Sequence, residues 1–486
     1  MTARLVLGID EGTTAVKAAL FDERLRPVRE ARRDKASWHP RAGWVEQDGE
    51  EVLRAVVDAV AELLEDVPGT VVACGLDHQG ESVLAWDAET GIPLTPIVVW
   101  QDKRSQQVLD RLTGSEAEIR RRSGLPLDPY FSAGKLAWLL EHDDAVARAR
   151  AAGALRMGTV DSFLCDRLGA GFATDASTAS RTQLHALGTP GFDPWLCERF
   201  GVPADVLPQV RDSVGELGTL RHESWPVELP LRGQVVDQQA ALAGAGCVVP
   251  GRVKATYGTG VFILAHVGDA VPEPAGGLLP TVAWRIGDRT EYAIDGGVFA
   301  AGAMLEWLCR ELGLAADPAA LGALAREADG SAGARVLPAL AGIGAPWWRP
   351  GARAVLSGLH GGTTGANVAR AALEGIAWRV ADVVAAIRET VDVGTLRVDG
   401  GLTNEALMLE LQADAIGAPV EAGGADATVA GAAALAAVGA GVLGSLAEAA
   451  ELLPVDRRVQ PRRDDAWRTA EHERWRAFVA AAAQLG

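Results

Sequence analysis

Asp237 stands in a setting that fits a general base. It follows the short run 233–236 (GQVV) and precedes two amides, Gln238 and Gln239. A carboxylate can accept the proton of an attacking hydroxyl group, and neighbouring amides can orient its partners. Such an acceptor is useful in phosphoryl transfer because a hydroxyl is a poor nucleophile until its proton is accepted. The alternative is an aspartate that only caps the N-terminus of a helix.

A threonine-rich turn near the start of the chain is a candidate phosphate site. In residues 10–17 (DEGTTAVK) a glycine turn exposes backbone N–H groups, and Thr13 and Thr14 add hydroxyl donors. Asp10 could hold Mg²⁺ through water, since this ion prefers oxygen ligands. Lys17 could reach a terminal phosphate. An ordinary hairpin with a threonine-rich turn is the alternative.

Two further segments offer groups that could bind ligands. Residues 77–81 (DHQGE) crowd polar groups after an apolar run. Glu81 could accept hydrogen bonds from a polyol, and His78 or Gln79 could donate or accept them. Residues 396–401 (LRVDGG) indicate a strand that ends in two glycines, which lets a nucleotide approach the backbone closely. A solvated loop histidine and a plain strand-to-helix loop are the respective alternatives.

The elements that must position these residues form two similar halves. Residues 252–264 (RVKATYGTGVFIL) repeat the strand, glycine turn and strand of the first hairpin about half a chain later. This repeat predicts two related domains, 1–245 and 246–486, that face a shared cleft. Apolar residues at three- and four-residue spacing predict a helix over residues 50–67. Mixed helix and strand patterns indicate an α/β protein.

Composition narrows the classes of function. The net charge of −18 argues against a nucleic-acid partner and an anionic membrane surface. The Gly/Ala-rich run 430–443 is too short for membrane insertion and predicts a tightly packed helix instead. Five scattered cysteines without a CxxC pair, and no leader-like opening segment, predict a reducing, cytoplasmic location. The sequence has no P-loop, GxGxxG, HExxH or GxSxG motif, so hydride transfer and hydrolase chemistry have little support.

Taken in this order, the motifs resemble the FGGY family of carbohydrate kinases over nearly the whole chain. Residues 130–142 (YFSAGKLAWLLEH) are similar to the first family signature, and residues 354–359 (AVLSGL) and 367–374 (NVARAALE) to the second. The resemblance implies a two-domain actin/hexokinase-like (ribonuclease H-like) α/β sugar-kinase fold with an interdomain cleft. It also implies ATP and Mg²⁺ as cofactors, a small-molecule polyol or sugar as partner, and a homodimer or homotetramer.

The resemblance implies roles for particular residues. Asp237 would be the catalytic base, and Asp10 would lie at the metal. The N-terminal domain would bind the polyol or sugar and the phosphates, and the C-terminal domain the nucleotide. The implied substrate-binding residues are His78, Gln79, Glu81, Trp100, Tyr130 and Gln238. The implied ATP-binding residues are Thr13, Thr14, Lys17, Thr259, Gly302, Glu306 and Gly401.

The implied substrate is a small polyol phosphorylated on a terminal hydroxyl. Residues 158–162 (GTVDS), 174–182 (TDASTASRT) and 342–348 (GIGAPWW) are similar to the glycerol kinases of the family, which favours glycerol or a close relative. Gly80 stands where those kinases carry an arginine, and it predicts extra volume for a longer polyol. Residues 100–104 (WQDKR) also resemble pentulose kinases, so a xylulokinase is the alternative. A non-enzymatic ATP switch of the actin or chaperone type is the third hypothesis.

Overall fold

The computed structural model describes residues 3–273, 276–423 and 426–485. Its strands are β1 (Ala3–Glu11), β2 (Ala15–Phe21), β3 (Pro27–Asp34), β4 (Glu46–Gln47), β5 (Gly69–His78), β6 (Val83–Asp87), β7 (Ile97–Val98), β8 (Leu155–Thr159), β9 (Ala173–Asp175), β10 (Gln209–Arg211), β11 (Thr219–Leu220), β12 (Leu229–Val236), β13 (Arg252–Tyr257), β14 (Val261–Gly268), β15 (Leu279–Ile286), β16 (Arg289–Val298), β17 (Arg335–Leu337), β18 (Val355–Ser357), β19 (Thr395–Asp399), β20 (Val420–Ala422) and β21 (Arg457–Val459).

Helices connect and cover these strands. The α-helices are α1 (Gly49–Leu64), α2 (Gln106–Asp110), α3 (Glu116–Ser123), α4 (Ser132–His142), α5 (Asp144–Ala151), α6 (Val160–Arg167), α7 (Ala176–Ser180), α8 (Pro194–Phe200), α9 (Asp237–Gly244), α10 (Ala301–Leu312), α11 (Pro318–Arg326), α12 (Gly365–Ile387), α13 (Ala406–Ile416), α14 (Ala427–Gly439), α15 (Leu446–Leu452) and α16 (Asp465–Ala482). Short 3-10 helices cover Thr113–Ser115, Ala204–Val206 and Gly401–Asn404.

Two large sheets share one core arrangement. The first has the order β11-β12-β5-β1-β2-β3, and the second β15-β16-β14-β13-β19-β20-β21. In the first sheet the antiparallel strands β3, β2 and β1 are followed by β5 and β12, which run parallel to β1. In the second sheet β16, β14 and β13 are antiparallel, and β19 and β20 continue parallel to β13. The predicted repeat of the hairpin is therefore confirmed at the level of whole sheets.

Local sequence explains the helix that follows the first hairpin. Asp48 caps α1, and its side chain accepts hydrogen bonds from the N–H groups of Glu50 and Glu51. The apolar face includes Val52 and Val56, which are buried against the first sheet. The helix ends before Glu65, whose backbone is extended. The helix predicted over residues 50–67 is thus confirmed, with slightly earlier bounds.

The small-residue helix α14 packs directly on the first sheet. A Cβ atom added to Gly75 of β5 would lie 2.0 Å from the carbonyl oxygen of Ala432. One added to Gly8 of β1 would lie 2.4 Å from the carbonyl oxygen of Val429. Glycine is therefore required at these positions for the helix to approach. The tightly packed helix predicted from the run 430–443 is confirmed, and it covers strands from the other half of the chain.

A smaller sheet, β4-β7-β6-β8, belongs to the first half, and helix α4 packs against its strand β6. The cysteines Cys74, Cys165, Cys197, Cys247 and Cys309 are buried and form no disulfide within the described residues. Within the described ranges, no helix combines the length and apolarity needed to cross a bilayer. The division into domains 1–245 and 246–486 stays a prediction, because α14 packs across it.

Candidate active site

Three aspartates meet at one edge of the first sheet. Asp10 lies opposite Asp77 in the parallel pairing of β1 with β5. Asp237 follows β12, whose residue Val235 pairs with Asp77. Because the carboxyl ends of parallel strands lie on the same side of a sheet, their following residues converge there. The site is therefore acidic, and its geometry comes from strand register.

Asp237 is the first residue of α9 rather than its N-cap, which is Val236. Its Oδ1 accepts a hydrogen bond from the N–H of Gln238 at 2.6 Å. Burial, with the charges of Glu81 and Asp10, raises the pKa of Asp237 to about 7. A carboxyl group with this pKa can accept a proton near neutral pH, as a general base must.

Asp237 faces a narrow cavity between the two halves. The lining residues are Glu81, Tyr130, Arg181, Val236, Asp237, Gln238, Gln239, Phe262, Leu264, Thr281 and Asp295. The cavity volume is about 10 Å³, roughly the space that one water molecule occupies. A polyol can therefore enter only if the cleft widens.

Glu81 was predicted as a site residue, but its partner Arg181 and the Asp295 that also binds Arg181 were not. Glu81 has a positive φ of 60°, a conformation that non-glycine residues adopt rarely and often at functional sites. Its Oε1 accepts a hydrogen bond from Nε of Arg181 at 2.7 Å. Nη2 of Arg181 also pairs with Oδ2 of Asp295 at 3.1 Å. Arg181 lies in the run 174–182, which the family resemblance singled out without giving this arginine a role.

His78 and Gln79 lie behind the cavity wall rather than in it. Nε2 of His78 is 2.9 Å from Oγ1 of Thr178, and its Nδ1 is 2.9 Å from the Gln79 carbonyl oxygen. Nε2 of Gln79 donates to Oε1 of Glu11 at 3.0 Å. Both side chains are buried and already bonded within the protein. These contacts favour a structural role, in which both side chains support the cavity wall. Direct contact of His78 and Gln79 with the substrate stays a prediction.

Tyr130 and Gln238 line the cavity beside Asp237, and Trp100 packs against Tyr130. The rings of Trp100 and Tyr130 pack edge to face, with their centroids 5.5 Å apart. Nε1 of Trp100 donates to Oγ1 of Thr13 at 3.0 Å, which joins this wall to the first hairpin. Oε1 of Gln238 accepts from Nζ of Lys254 at 2.6 Å. Lys254 is fully buried on β13 and was not predicted as a site residue.

The expectation of extra volume at Gly80 needs correction. A Cβ atom at Gly80 would lie 2.6 Å from Cγ2 of Val236, so the missing side chain leaves no extra volume. In the run 100–104, Arg104 donates to both Asp102 and Glu46 in a buried ion-pair cluster. These charges therefore do not line the cavity, and the pentulose alternative stays a prediction.

The glycine segments of the second half come together around the second hairpin. The N–H of Gly302 donates to the carbonyl oxygen of Gly258 at 3.1 Å. A Cβ atom at Gly400 would lie 2.3 Å from the carbonyl oxygen of Tyr257. The hairpin, the start of α10 and the turn after β19 thus form one surface. The predicted residues Thr259, Glu306 and Gly401 are exposed on the same elements.

The residues of the first hairpin that were predicted to bind phosphate lie on the other side of the cleft. Thr14 is exposed, while the Thr13 hydroxyl is engaged by Trp100. The Lys17 ammonium forms an ion pair with Asp426, just before α14. A phosphate at this hairpin would compete with Asp426 for Lys17.

Asp10 and Asp77 form a carboxyl pair suited to a hydrated cation. Burial, more than any other influence, raises the pKa of Asp10 to about 6. Asp77 is completely buried, and burial together with Asp10 raises its pKa well above the ordinary value. Within the described residues, no protein N–H or hydroxyl group donates to either oxygen of Asp77. Two neighbouring carboxyl groups of this kind could accept hydrogen bonds from the water ligands of a hydrated Mg²⁺.

Comparison with known proteins gives matches along nearly the whole chain. Residues 5–244 match the N-terminal domain of the FGGY family of carbohydrate kinases, and residues 253–440 match its C-terminal domain. A protein of Alkalilimnicola ehrlichii named glycerol kinase is 43% identical over 452 residues, which are 90% of this chain and 91% of that protein.

Solved structures show the same architecture. The Plasmodium falciparum glycerol kinase with ADP is 28% identical and superposes with a TM-score of 0.93, covering 99% of this chain and 98% of that one. A xyloylose (xylulose) kinase of Brucella ovis is 25% identical and superposes with a TM-score of 0.89, covering 99% and 100% respectively. Both matches extend across the two halves and the cleft between them.

Proposed function

The chain belongs to the FGGY family of carbohydrate kinases, and we propose that it transfers the γ-phosphoryl group of ATP to a terminal hydroxyl of a small polyol, with glycerol as first candidate. It is a phosphotransferase with an alcohol acceptor, on the sugar-kinase fold that the sequence predicted. The observation that carries the proposal is the Asp237 carboxyl, whose pKa of about 7 provides a proton acceptor at the interdomain cavity.

Asp237 is the base of the proposed reaction. The substrate oxygen forms its bond to the γ-phosphorus while the bond from that phosphorus to the bridging oxygen of ADP breaks. The hydroxyl proton passes to Asp237, because its raised pKa makes this carboxylate a better base than an exposed one. The N–H of Gln238 occupies Oδ1, which leaves Oδ2 to take the proton.

The nucleotide lies, in this proposal, between the two hairpins. Gly302 and Gly401 belong to the surface of the second half on which the nucleoside would rest, close to Thr259 and Glu306. Thr13, Thr14 and Lys17 would face the phosphates from the first half. The ADP named with the Plasmodium relative supports a nucleotide site in this fold.

Mg²⁺ would be held through its waters by Asp10, with Asp77 beside it. Within the described residues, the oxygens of Asp77 receive no hydrogen bond from a protein N–H or hydroxyl group, and this supports the assignment. When bound, the ion supplies positive charge that offsets the charge of the phosphoryl oxygens. Asp77 was not predicted, and it becomes part of the proposed metal environment.

The charge of the cavity supports a neutral substrate. Glu81, Asp237 and Asp295 contribute three carboxyl groups, against the single guanidinium of Arg181. An acidic sugar would be repelled by this excess of carboxylates. Glycerol is preferred over a pentulose because the relative that is 43% identical is named glycerol kinase.

A panel of acceptors tests the proposal. ADP release is measured with ATP and Mg²⁺ in the presence of glycerol, erythritol, threitol, xylitol, xylulose or ribulose, against a blank without acceptor. We expect the highest kcat/KM with glycerol. Turnover only with the ketoses would instead establish a pentulose kinase. ADP release that no acceptor increases would favour the ATP switch.

The pH dependence of the reaction should report the base. Asp237 must be deprotonated to accept a proton, so kcat/KM is expected to fall as pH falls through about 7. Well below this value the decrease approaches about tenfold per pH unit. The measurement is the kcat/KM for glycerol between about pH 5.5 and 8, at saturating ATP. A flat profile over this range would contradict the assignment.

A further inference from the structure

Arg181 occupies an unusual position at the boundary between the two halves. It follows helix α7 and is only 5% exposed. Its Nε binds Glu81 of the first half, and its Nη2 pairs with Asp295 on β16 of the second. Two of the three guanidinium nitrogens are therefore fixed by carboxylates, so the direction of the third nitrogen is fixed as well.

The third nitrogen of the Arg181 guanidinium differs from the other two. Nη1 of Arg181 is buried and makes no hydrogen bond within the described residues. A buried donor without an acceptor is unfavourable, and native proteins seldom leave one unsatisfied. Arg181 lines the same cavity as Asp237, so a ligand in that cavity could supply the missing acceptor.

The surroundings determine which acceptor fits. Burial opposes the charged form of Arg181, but the neighbouring carboxylates outweigh it and keep the guanidinium protonated, with a raised pKa. With Glu81, Asp237 and Asp295 around the cavity, a neutral oxygen is favoured over an anionic one. The oxygen of an alcohol meets this requirement.

We propose that Nη1 of Arg181 donates a hydrogen bond to a substrate hydroxyl other than the one that Asp237 deprotonates. Arg181 is then a specificity-determining residue that recognises a second hydroxyl of the polyol. Oε1 of Glu81 holds the guanidinium in place. Its other carboxylate oxygen can accept a hydrogen bond from the same substrate. This inference rests on the proposed polyol kinase function and adds the group that selects the acceptor.

Substrates that lack one hydroxyl test the inference directly. The kcat/KM values of the wild type, Arg181→Gln and Arg181→Lys are measured with glycerol, propane-1,2-diol and propane-1,3-diol. The wild type should prefer glycerol over at least one diol by about 10- to 100-fold, the effect of a lost hydrogen bond to a charged donor. In Arg181→Gln the ratio of kcat/KM for glycerol to kcat/KM for that diol should fall close to one. This variant lacks the donor to the second hydroxyl, so removing that hydroxyl from the substrate costs nothing further.

Arg104→Lys is the matched control. Arg104 is also buried, at 8% exposed, and also binds two carboxylates, Asp102 and Glu46, but it does not line the cavity. The preference of Arg104→Lys for glycerol over the diols should match that of the wild type. If Arg181→Gln does not fold, Arg181→Lys provides the test, since it keeps the positive charge but loses the fixed direction of Nη1.

The outcomes separate this inference from the proposed function. If Arg181 variants lose activity equally on glycerol and both diols, Arg181 only holds the two halves together and the inference is wrong. If the wild type shows no polyol-dependent turnover, the proposed function fails and this inference fails with it. A lowered glycerol preference with an unchanged KM for ATP supports the inference.

Discussion

Replacing Asp237 by asparagine is expected to lower kcat by about 10²–10⁴-fold, the contribution typical of a general base. An amide has nearly the same shape but cannot take the hydroxyl proton. The KM for ATP should change little, because the proposed nucleotide residues lie on other elements. The measurement is ADP release at saturating glycerol, with nucleotide binding followed separately by calorimetry.

The same substitution should not destabilise the fold. The pKa of Asp237 is about 7 in the folded chain against an ordinary 3.8. Between these values the folded state binds more protons than the unfolded state, so the carboxyl reduces stability as pH rises. Asparagine removes this ionisation, and the Tm of Asp237→Asn at about pH 8 should equal or exceed that of the wild type.

Asp329→Asn is the control for this pair of measurements. It makes the same chemical change at an exposed position outside the cavity, so kcat and Tm should both stay at wild-type values. Near-normal turnover of Asp237→Asn would remove Asp237 from the base role. A lowered Tm would show that the loss of activity comes from misfolding.

Replacing Gly431 by alanine is expected to destabilise the protein, although alanine is the better helix former. Helix propensity alone predicts a gain of about 1 kcal/mol. A Cβ atom at Gly431, however, would lie 1.8 Å from the carbonyl oxygen of Ala240 in α9. Helices α9 and α14 would have to separate, and overpacking of this kind typically costs about 1–3 kcal/mol, sometimes more. Thermal unfolding should show a Tm several degrees lower.

Gly365→Ala provides the matched control within a helix. A Cβ atom there would meet its nearest neighbour, Leu314, at 3.8 Å, which is ordinary contact. Its Tm should be unchanged or slightly higher. Because α9 begins with Asp237, the folded fraction of Gly431→Ala should also have a reduced kcat. A Tm for Gly431→Ala at or above that of Gly365→Ala would contradict the close packing of the helices.

The sequence predicted features that depend on local pattern. Alternating and apolar runs predicted the hairpins at residues 10–17 and 252–264, and three- and four-residue spacing predicted α1. The hairpin and helix predictions succeed because turn residues and hydrophobic periodicity act over a few positions. The role of Asp237 as a base was also inferred from its immediate neighbours, and it stays a prediction.

Side-chain direction and long-range pairing could not be predicted in this way. The sequence places His78, Gln79 and Glu81 together, but only the positive φ of Glu81 and its bond to Arg181 bring one of them into the cavity. The pair formed by Arg181 and Asp295 joins elements from different halves, and no local pattern relates them. The absence of free space beside Gly80 could not be predicted either, because that space is filled by Val236 from another strand.

The packing of α14 on the first sheet has a consequence for synthesis of the chain on the ribosome. Strands β1, β5 and β12 are complete once residue 236 has emerged, but the helix that covers them ends at residue 439. At roughly 5–20 residues per second, the wait lasts about 10 to 40 s. During this time the nascent first half exposes an apolar sheet face, which makes it a substrate for chaperones and prone to aggregate if released early.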